Sequence, residues 1–179
     1  GGQGAPLVPA FHRSVFASPD EDRVVLNIGG IANITILPAD PGRPVTGFDT
    51  GPGNTLLDQW THRNLGLEMD VDGTWARQGN ADERLLRVLL ADPWFGKAPP
   101  KSTGREYFNL PWLEAATGKM EIEAVDVQAS LCELTVRSIA DAVTRHAPGC
   151  RQLLACGGGV HNTRLLERLA DLLPNTRIR

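Results

Sequence analysis

No apolar run in this chain approaches the ~20 residues that a membrane-spanning helix needs, so a membrane partner is not expected. There is no excess of positive charge. Lys and Arg number 18 against 21 Asp and Glu, a formal net charge of -3, so there is no electrostatic case for nucleic acid. Cysteine is scarce: Cys132, Cys150 and Cys156 are odd in number and lack metal-ligand spacing. They read as reduced thiols of a cytoplasmic protein, with Cys150 expected at the surface because it follows Pro148-Gly149. Residues 1–9 have neither the basic start nor the apolar core of a signal peptide. Internal repeats and low-complexity tracts are absent. What remains is an ordinary globular composition, 41% apolar and 22% charged over 179 residues, enough for one large domain or two small lobes.

The periodicity predicts strands over 23–28, 33–37 and 45–49, with Gly29-Gly30-Ile31-Ala32 as the hairpin between the first two. Short connections among them predict an antiparallel start to a mixed sheet. Helices are predicted over 54–62, 81–91, 126–146 and 163–173, and a short strand over 152–156. In the helix over 126–146, Cys132, Val136, Ile139, Ala140 and Val143 form one stripe, suited equally to a core or an interface. In the helix over 163–173, Leu165, Leu166, Leu169, Leu172 and Leu173 are expected inward. Residues 93–112 carry Trp94, Phe95, Tyr107, Phe108 and Trp112 among turn residues, which predicts a packed surface loop. Both ends read as cut: residues 1–6 are loop chemistry, and 175–179 resembles a strand that is just starting.

Three glycine turns carry the chemistry. The most informative is Gly47-Phe48-Asp49-Thr50-Gly51-Pro52-Gly53-Asn54, which sets one carboxylate at the end of an apolar run and then a loop with little packing value. Gly51 and Gly53 allow close backbone approach, and Asn54 or Thr55 is placed to cap the next helix. An acid at a strand end beside backbone N–H groups is a candidate general base next to an anionic ligand. The plainer reading is an Asp bonded only to its own turn. The second turn, from Asn27 through Gly29 and Gly30 to Asn33, is a tight hairpin or a concave anion site. The third, Cys156-Gly157-Gly158-Gly159-Val160-His161-Asn162, follows a strand and opens a helix. It departs from the dinucleotide fingerprint: Asn162 replaces the last small residue, and no acid follows about 20 residues on. Lys101-Ser102-Thr103-Gly104-Arg105-Glu106 is no Walker motif, since Pro99-Pro100 stand where glycine is required. Lys101 and Arg105 are candidate anion contacts, against a solvated charged loop.

Taken in order, the 27–33 hairpin, the 47–54 acid loop, the Lys-Ser-Thr-Gly-Arg-Glu-Tyr-Phe-Asn-Leu-Pro-Trp-Leu string from Lys101 and the 156–162 turn closely resemble the anhydro-N-acetylmuramic acid kinase family. The resemblance covers essentially the whole chain. It implies an α/β fold, a mixed sheet with flanking helices, the ribonuclease H-like lobe of the actin-like ATPase superfamily. Residues 1–179 would form part of a larger two-lobe kinase, mostly one lobe with a helical and loop insertion around 60–125. It implies ATP and Mg²⁺ as cofactors, an amino sugar as the small-molecule partner, and a homodimer. Asp49 matches the family's catalytic base. Asn27, Gly29, Gly30 and Asn33 match its second phosphate loop, and Gly157, Gly158, Gly159 and Asn162 its adenosine-side loop. Gly51, Gly53, Asn54, Lys101 and Arg105 are the candidate substrate contacts, and no residue is assigned to a metal. The implied reaction opens the 1,6-anhydro ring with water while O6 is phosphorylated, in peptidoglycan recycling.

The family's first phosphate loop, a Gly-Thr-Ser-x-Asp-Gly-type segment, is absent from this chain, as is its C-terminal part. The chain alone is therefore expected to be inactive. Two other readings compete. One is a non-catalytic nucleotide-binding or assembly module of the same fold. The other is an NADP-dependent oxidoreductase resting on the Gly157 turn with Arg177 or Arg179; it requires parallel strands around that turn and leaves Asp49 without a role.

Overall fold

The computed structural model describes residues 15–118 and 120–179. The expectation for residues 1–6 lies outside them. Five strands form one mixed sheet in the order β3-β2-β1-β4-β5. They are β1 (Arg23–Ile28), β2 (Ile31–Leu37), β3 (Thr46–Pro52), β4 (Gln152–Cys156) and β5 (Arg177–Ile178). β1, β2 and β3 make an antiparallel meander, while β4 runs parallel to β1 and β5 parallel to β4. The helices are α1 (Thr55–Leu65), α2 (Glu83–Leu90), α3 (Leu110–Thr117), α4 (Ala124–His146) and α5 (Thr163–Leu172).

Strand alternation sorts the side chains onto two faces. Val24, Leu26 and Ile28 of β1 share a face with Ile36, Ile34 and Ala32 opposite them on β2, and with Phe48 on β3. All are buried in one cluster with Leu131, Leu134 and Ile139 of α4. Burying each of the large aliphatic side chains stabilises the fold by roughly 1.5–3 kcal/mol. α4 packs on β2 and β3, and α1, α2 and α5 pack around α4. This explains why the stripe expected on α4 broadens: Gln128, Ser130, Glu133, Thr135 and Ser138 are buried as well. The helix is a central post enclosed on most sides, so its stripe belongs to the core. Apart from Gln128 Oε1, its buried polar side-chain atoms find partners there. Thr135 Oγ1 donates toward the carbonyls of Pro52 and Gly53, at 3.0 and 3.1 Å. Glu133 is paired with Arg137 and Arg168.

Helix starts follow the local chemistry. Asp82 accepts from the N–H groups of Arg84 and Leu85, Asn109 from Trp112, and Asn162 from Leu165. α1 departs from expectation. Asn54 sits at its cap position, but its side chain makes no capping bond and reaches instead toward the Ile28 carbonyl, 3.4 Å away. α3 is a helix where the sequence predicts loop, its start set by Asn109 and Pro111. On α5, Leu165 and Leu169 are fully buried and Leu173 beyond its end is buried, but Leu172 is exposed, because it faces away from α4. The thiol expectation also changes. Cys150 is buried and Cys156 is the exposed one, since Cys150 turns under the start of β4 toward the Gln152 carbonyl.

The 93–112 segment is packed, as expected. Trp94 and Phe108 are buried, and Phe108 makes edge contacts with Trp94, Tyr107 and Trp112 at ring-centroid distances of 4.9–5.3 Å. Asp92 ties the cluster together. Its carboxylate accepts from Tyr107 Oη, Trp112 Nε1 and the Trp94 N–H, each at 2.8 Å. This holds the following stretch, 101–105, against the outer edge of β3.

Candidate active site

The second face of the sheet carries a different row. Asp49 pairs with Asn33, Asn33 with Asn27, and Asn27 with Cys156. Directly paired residues point to the same side. One carboxylate, two carboxamides and one thiol therefore lie abreast across four strands, none of them buried. This row was not legible as a row in the sequence, because it depends on the strand order.

A β-bulge places Asp49 in it. Ala32 pairs with Gly51 and Asn33 with Asp49, so Thr50 is the extra residue, its hydroxyl 3.2 Å from the Ala32 carbonyl. The bulge corrects the expected strand. β3 does not end at Asp49 but runs on to Pro52, so the acid stands within a paired strand. Both its chain and its side chain are held from the outer edge. The Asp49 N–H donates to the Lys101 carbonyl at 3.1 Å, and Asp49 Oδ2 accepts from the Thr103 N–H at 2.9 Å. Burial pushes the Asp49 carboxyl above the ordinary carboxylate range, and the Thr103 N–H opposes that shift. Oδ1 has no protein donor among the described residues. Thr103 also presents a buried hydroxyl oxygen without a partner, a feature the sequence did not mark.

The glycine turns meet at this end of the sheet. The N–H groups of Gly53 and Asn54 donate to the carbonyls of Gly30 and Gly29 at 2.9 and 2.8 Å, and the Thr55 N–H donates to Gly30 at 3.0 Å. These are the donors that the sequence offered to an anion, and the fold spends them on joining two turns. A side chain at Gly53 would collide with the Gly29 carbonyl. The third turn docks on the same corner. Gly157 has φ 86°, and a Cβ there would stand 2.8 Å from the Ile28 carbonyl oxygen as well as striking Asn27. Gly29, Gly30 and Gly158 differ from these, since a Cβ at each would meet nothing closer than 3.5 Å. Gly53 and Gly157 thus join the turns, and Gly29, Gly30 and Gly158 keep space open.

Arg105 lies over that space. Its Nε donates to Thr55 Oγ1 at 3.2 Å and stands 3.8 Å from where a Gly30 Cβ would be. Burial raises the pKa of Asp58, one turn into α1, and the Arg105 charge opposes this. A second hollow of about 260 Å³ adjoins the third turn, lined by Asn54, Asp58, Met69, Val71, His161 and Asn162 among others. Met69, Val71 and Asp58 gave no signal in the sequence. Lys101 is not brought to this corner. Its Nζ donates to the Phe95 carbonyl at 3.0 Å and lies 4.4 Å from the Trp94 ring centre.

The strand order, the helices around α4 and the turns gathered at one end define a lobe of the actin-like ATPase and sugar-kinase fold. Xylulose kinase from Rhodospirillum rubrum superposes with a TM-score of 0.60 at 16% identity, over 97% of this chain and 37% of that one. The activator of the 2-hydroxyisocaproyl-CoA dehydratase from Clostridium difficile, with bound ADPNP, superposes with a TM-score of 0.56 at 16% identity, over 96% of this chain and 58% of that one. The chain belongs to the anhydro-N-acetylmuramic acid kinase family, whose model matches residues 1–179. Anhydro-N-acetylmuramic acid kinase of Xanthomonas axonopodis pv. citri (strain 306) is 54% identical over 99% of this chain and 47% of its own length. That of Cupriavidus metallidurans is 52% identical over 99% of this chain and 48% of its own. The chain therefore spans about half the length of the curated relatives it matches. Family membership displaces the oxidoreductase reading, although β4, α5 and β5 do supply the parallel strands which that reading required.

Proposed function

We propose that the full-length protein is an ATP-dependent kinase acting on anhydro-N-acetylmuramic acid. Water opens the 1,6-anhydro ring, O6 receives the phosphoryl group, and the product is N-acetylmuramic acid 6-phosphate, in peptidoglycan recycling. The family supports the substrate. One observation carries the mechanism: a half-buried carboxylate with one oxygen held by the Thr103 N–H and the other unclaimed by protein, beside the gathered glycine turns.

Asp49 takes the proton of the attacking water as the C1–O6 bond breaks. Its raised pKa makes it a stronger base than a solvated carboxylate, and the Thr103 contact fixes which oxygen faces the water. Attack by water without a covalent sugar intermediate gives inversion at C1. Asn33 and Asn27, abreast of the acid, offer neutral donors and acceptors to sugar or phosphate. Gly53 and Asn54 act here by shaping the corner, whereas Gly51 faces the α4 side, where a Cβ would strike Phe95 and Ser138.

The residues fit a phosphate-bearing ligand, since Gly29, Gly30 and Gly158 leave the turns open and Arg105 supplies a positive charge beside Gly30. Asn162 and His161 line the hollow on the adenosine side. ATP with Mg²⁺ supplies the phosphoryl group and neutralises its charge. No group of three or more His, Cys, Asp or Glu side chains suited to a metal occurs among the described residues. The chain is one lobe, with an insertion around 60–125, of a two-lobe enzyme that works as a homodimer in the cytoplasm. By itself it does not turn over substrate, and clear product formation by residues 1–179 alone would contradict that.

The test is Asp49→Asn in the full-length protein, with the phosphorylated sugar followed by ³¹P NMR. A fall of ~10²–10⁴ in kcat with the fold intact is expected, because an amide cannot accept the proton. A near-normal rate would remove Asp49 as the base.

A further inference from the structure

On the other side of β3 lies a cavity of about 580 Å³, between α4 and the 93–101 segment. Phe48 and Thr50 form part of its wall, so it faces the helix side of the strand whose Asp49 faces the open side. Its floor is apolar, with Phe48, Phe95, Leu90 and Ala142. Its rim is cationic. Arg137 and Arg145 have carboxylate partners, Glu83 and Glu133 for the first and Asp141 for the second. Lys97 and Lys101 have none among the described residues. Among the described residues Asp141 is the only acid in the lining, and its Oδ1 is occupied by Arg145 Nε at 2.8 Å.

We propose that this cavity binds a small organic anion, with its phosphate or carboxylate head between Lys97, Lys101 and Arg145 and its apolar body on Phe48 and Phe95. Three observations converge on it. The volume is that of a small-molecule pocket. Lys101 is preorganised by the Phe95 carbonyl and the Trp94 ring, which leaves further ammonium hydrogens for a ligand. The cations also crowd one another: burial lowers the pKa of Lys101, the charges of Arg145 and Lys97 lower it further, and only Asp141 opposes. Charges of one sign gathered over an apolar floor are a cost to the fold that an anion relieves. The proposal does not rest on the proposed kinase reaction: Phe48 and Thr50 of the acid loop line the cavity, but the Asp49 carboxylate and the 27–33 and 156–162 turns do not.

The test uses phenyl phosphate as the probe, titrated calorimetrically into the full-length protein at fixed ionic strength. A non-hydrolysable ATP analogue with Mg²⁺ is held at saturation, so that any nucleotide site is blocked. Binding at one equivalent is expected, weakened at least tenfold by Lys97→Glu and retained by Lys97→Arg. Lys97 is exposed, so neither variant disturbs the core. Inorganic phosphate should bind more weakly than phenyl phosphate, because it leaves the apolar floor uncovered. No binding, binding unchanged in Lys97→Glu, or displacement of phenyl phosphate by an acidic peptide that binds more tightly would overturn the proposal. The last result would assign the cavity to a protein partner instead.

Discussion

The two faces of one sheet are built from alternate residues of the same strands, and they obey opposite rules. Leu26, Ile34 and Phe48 stand in one row against α4, buried and without a polar atom in their side chains. One residue away on each strand, Asn27, Asn33 and Asp49 stand in the next row, polar and open. The first row holds the fold and the second is offered to chemistry. Because side chains alternate, the stable row fixes where the other points. Rigidity on the helix side is what gives the acid a defined position on the open side.

That separation can be broken from either side. The broadest effect, on stability and turnover together, is expected at Gly53. A methyl there collides with the Gly29 carbonyl and forces apart the two turns joined by three backbone hydrogen bonds. Gly53→Ala should cost ~1–3 kcal/mol in stability, read by urea denaturation, and should abolish turnover as well, since the corner itself moves. Leu26→Ala should act on one face only. Leu26 is fully buried, so a loss of ~2–5 kcal/mol is expected, with kcat unchanged at a temperature where the protein remains folded. A drop in kcat comparable to that of Asp49→Asn would show that the two rows are not separable.

Asp49→Asn should reveal the converse trade. A folded-state pKa above the ordinary carboxylate value means that the native chain holds the proton more tightly than the unfolded one. The stability this group contributes is complete below the unfolded pKa and is lost as pH rises through the folded pKa. At neutral pH the charged carboxylate is thus a burden, and the neutral amide should raise Tm by a small amount while turnover collapses. A lower Tm would contradict that sign. The smallest effect concerns the thiols. Burial raises Cys132 to about 12 and Cys150 to about 11, whereas Cys156 is exposed at the end of the open row. A thiol reagent should therefore label Cys156 alone in the native chain, and Cys156→Ser should leave only slow labelling that tracks unfolding.

Much of the meander and the helices was legible because each obeys a local period. β1 is placed to the residue, and α4 from its stripe to within two residues at its start. The acid and the three turns were legible as glycine-rich punctuation, and the family resemblance ranked them. What stayed hidden depends on long-range pairing. The bulge that carries β3 past Asp49 exists only against Ala32 and Asn33. The uncapped start of α1 follows from Asn54 turning to the Ile28 carbonyl, a choice set by the docked hairpin. Lys101 and Arg105 look equivalent in the sequence, yet an aromatic cluster assembled by Asp92 sends them to different places. The exposed thiol was misplaced for a similar reason, since a Pro-Gly turn says nothing of how the next strand tucks its first residues inward.

If Asp49 is the proton acceptor, its titration governs the pH–rate profile of the full-length protein. With wild-type protein, log kcat/KM should rise with unit slope on the acid side and level off at a pKa above the ordinary carboxylate value, in keeping with the burial of Asp49. With Asp49→Asn that inflection should vanish and the residual rate should be flat across the same range. The same inflection persisting in Asp49→Asn would mean that another group takes the proton.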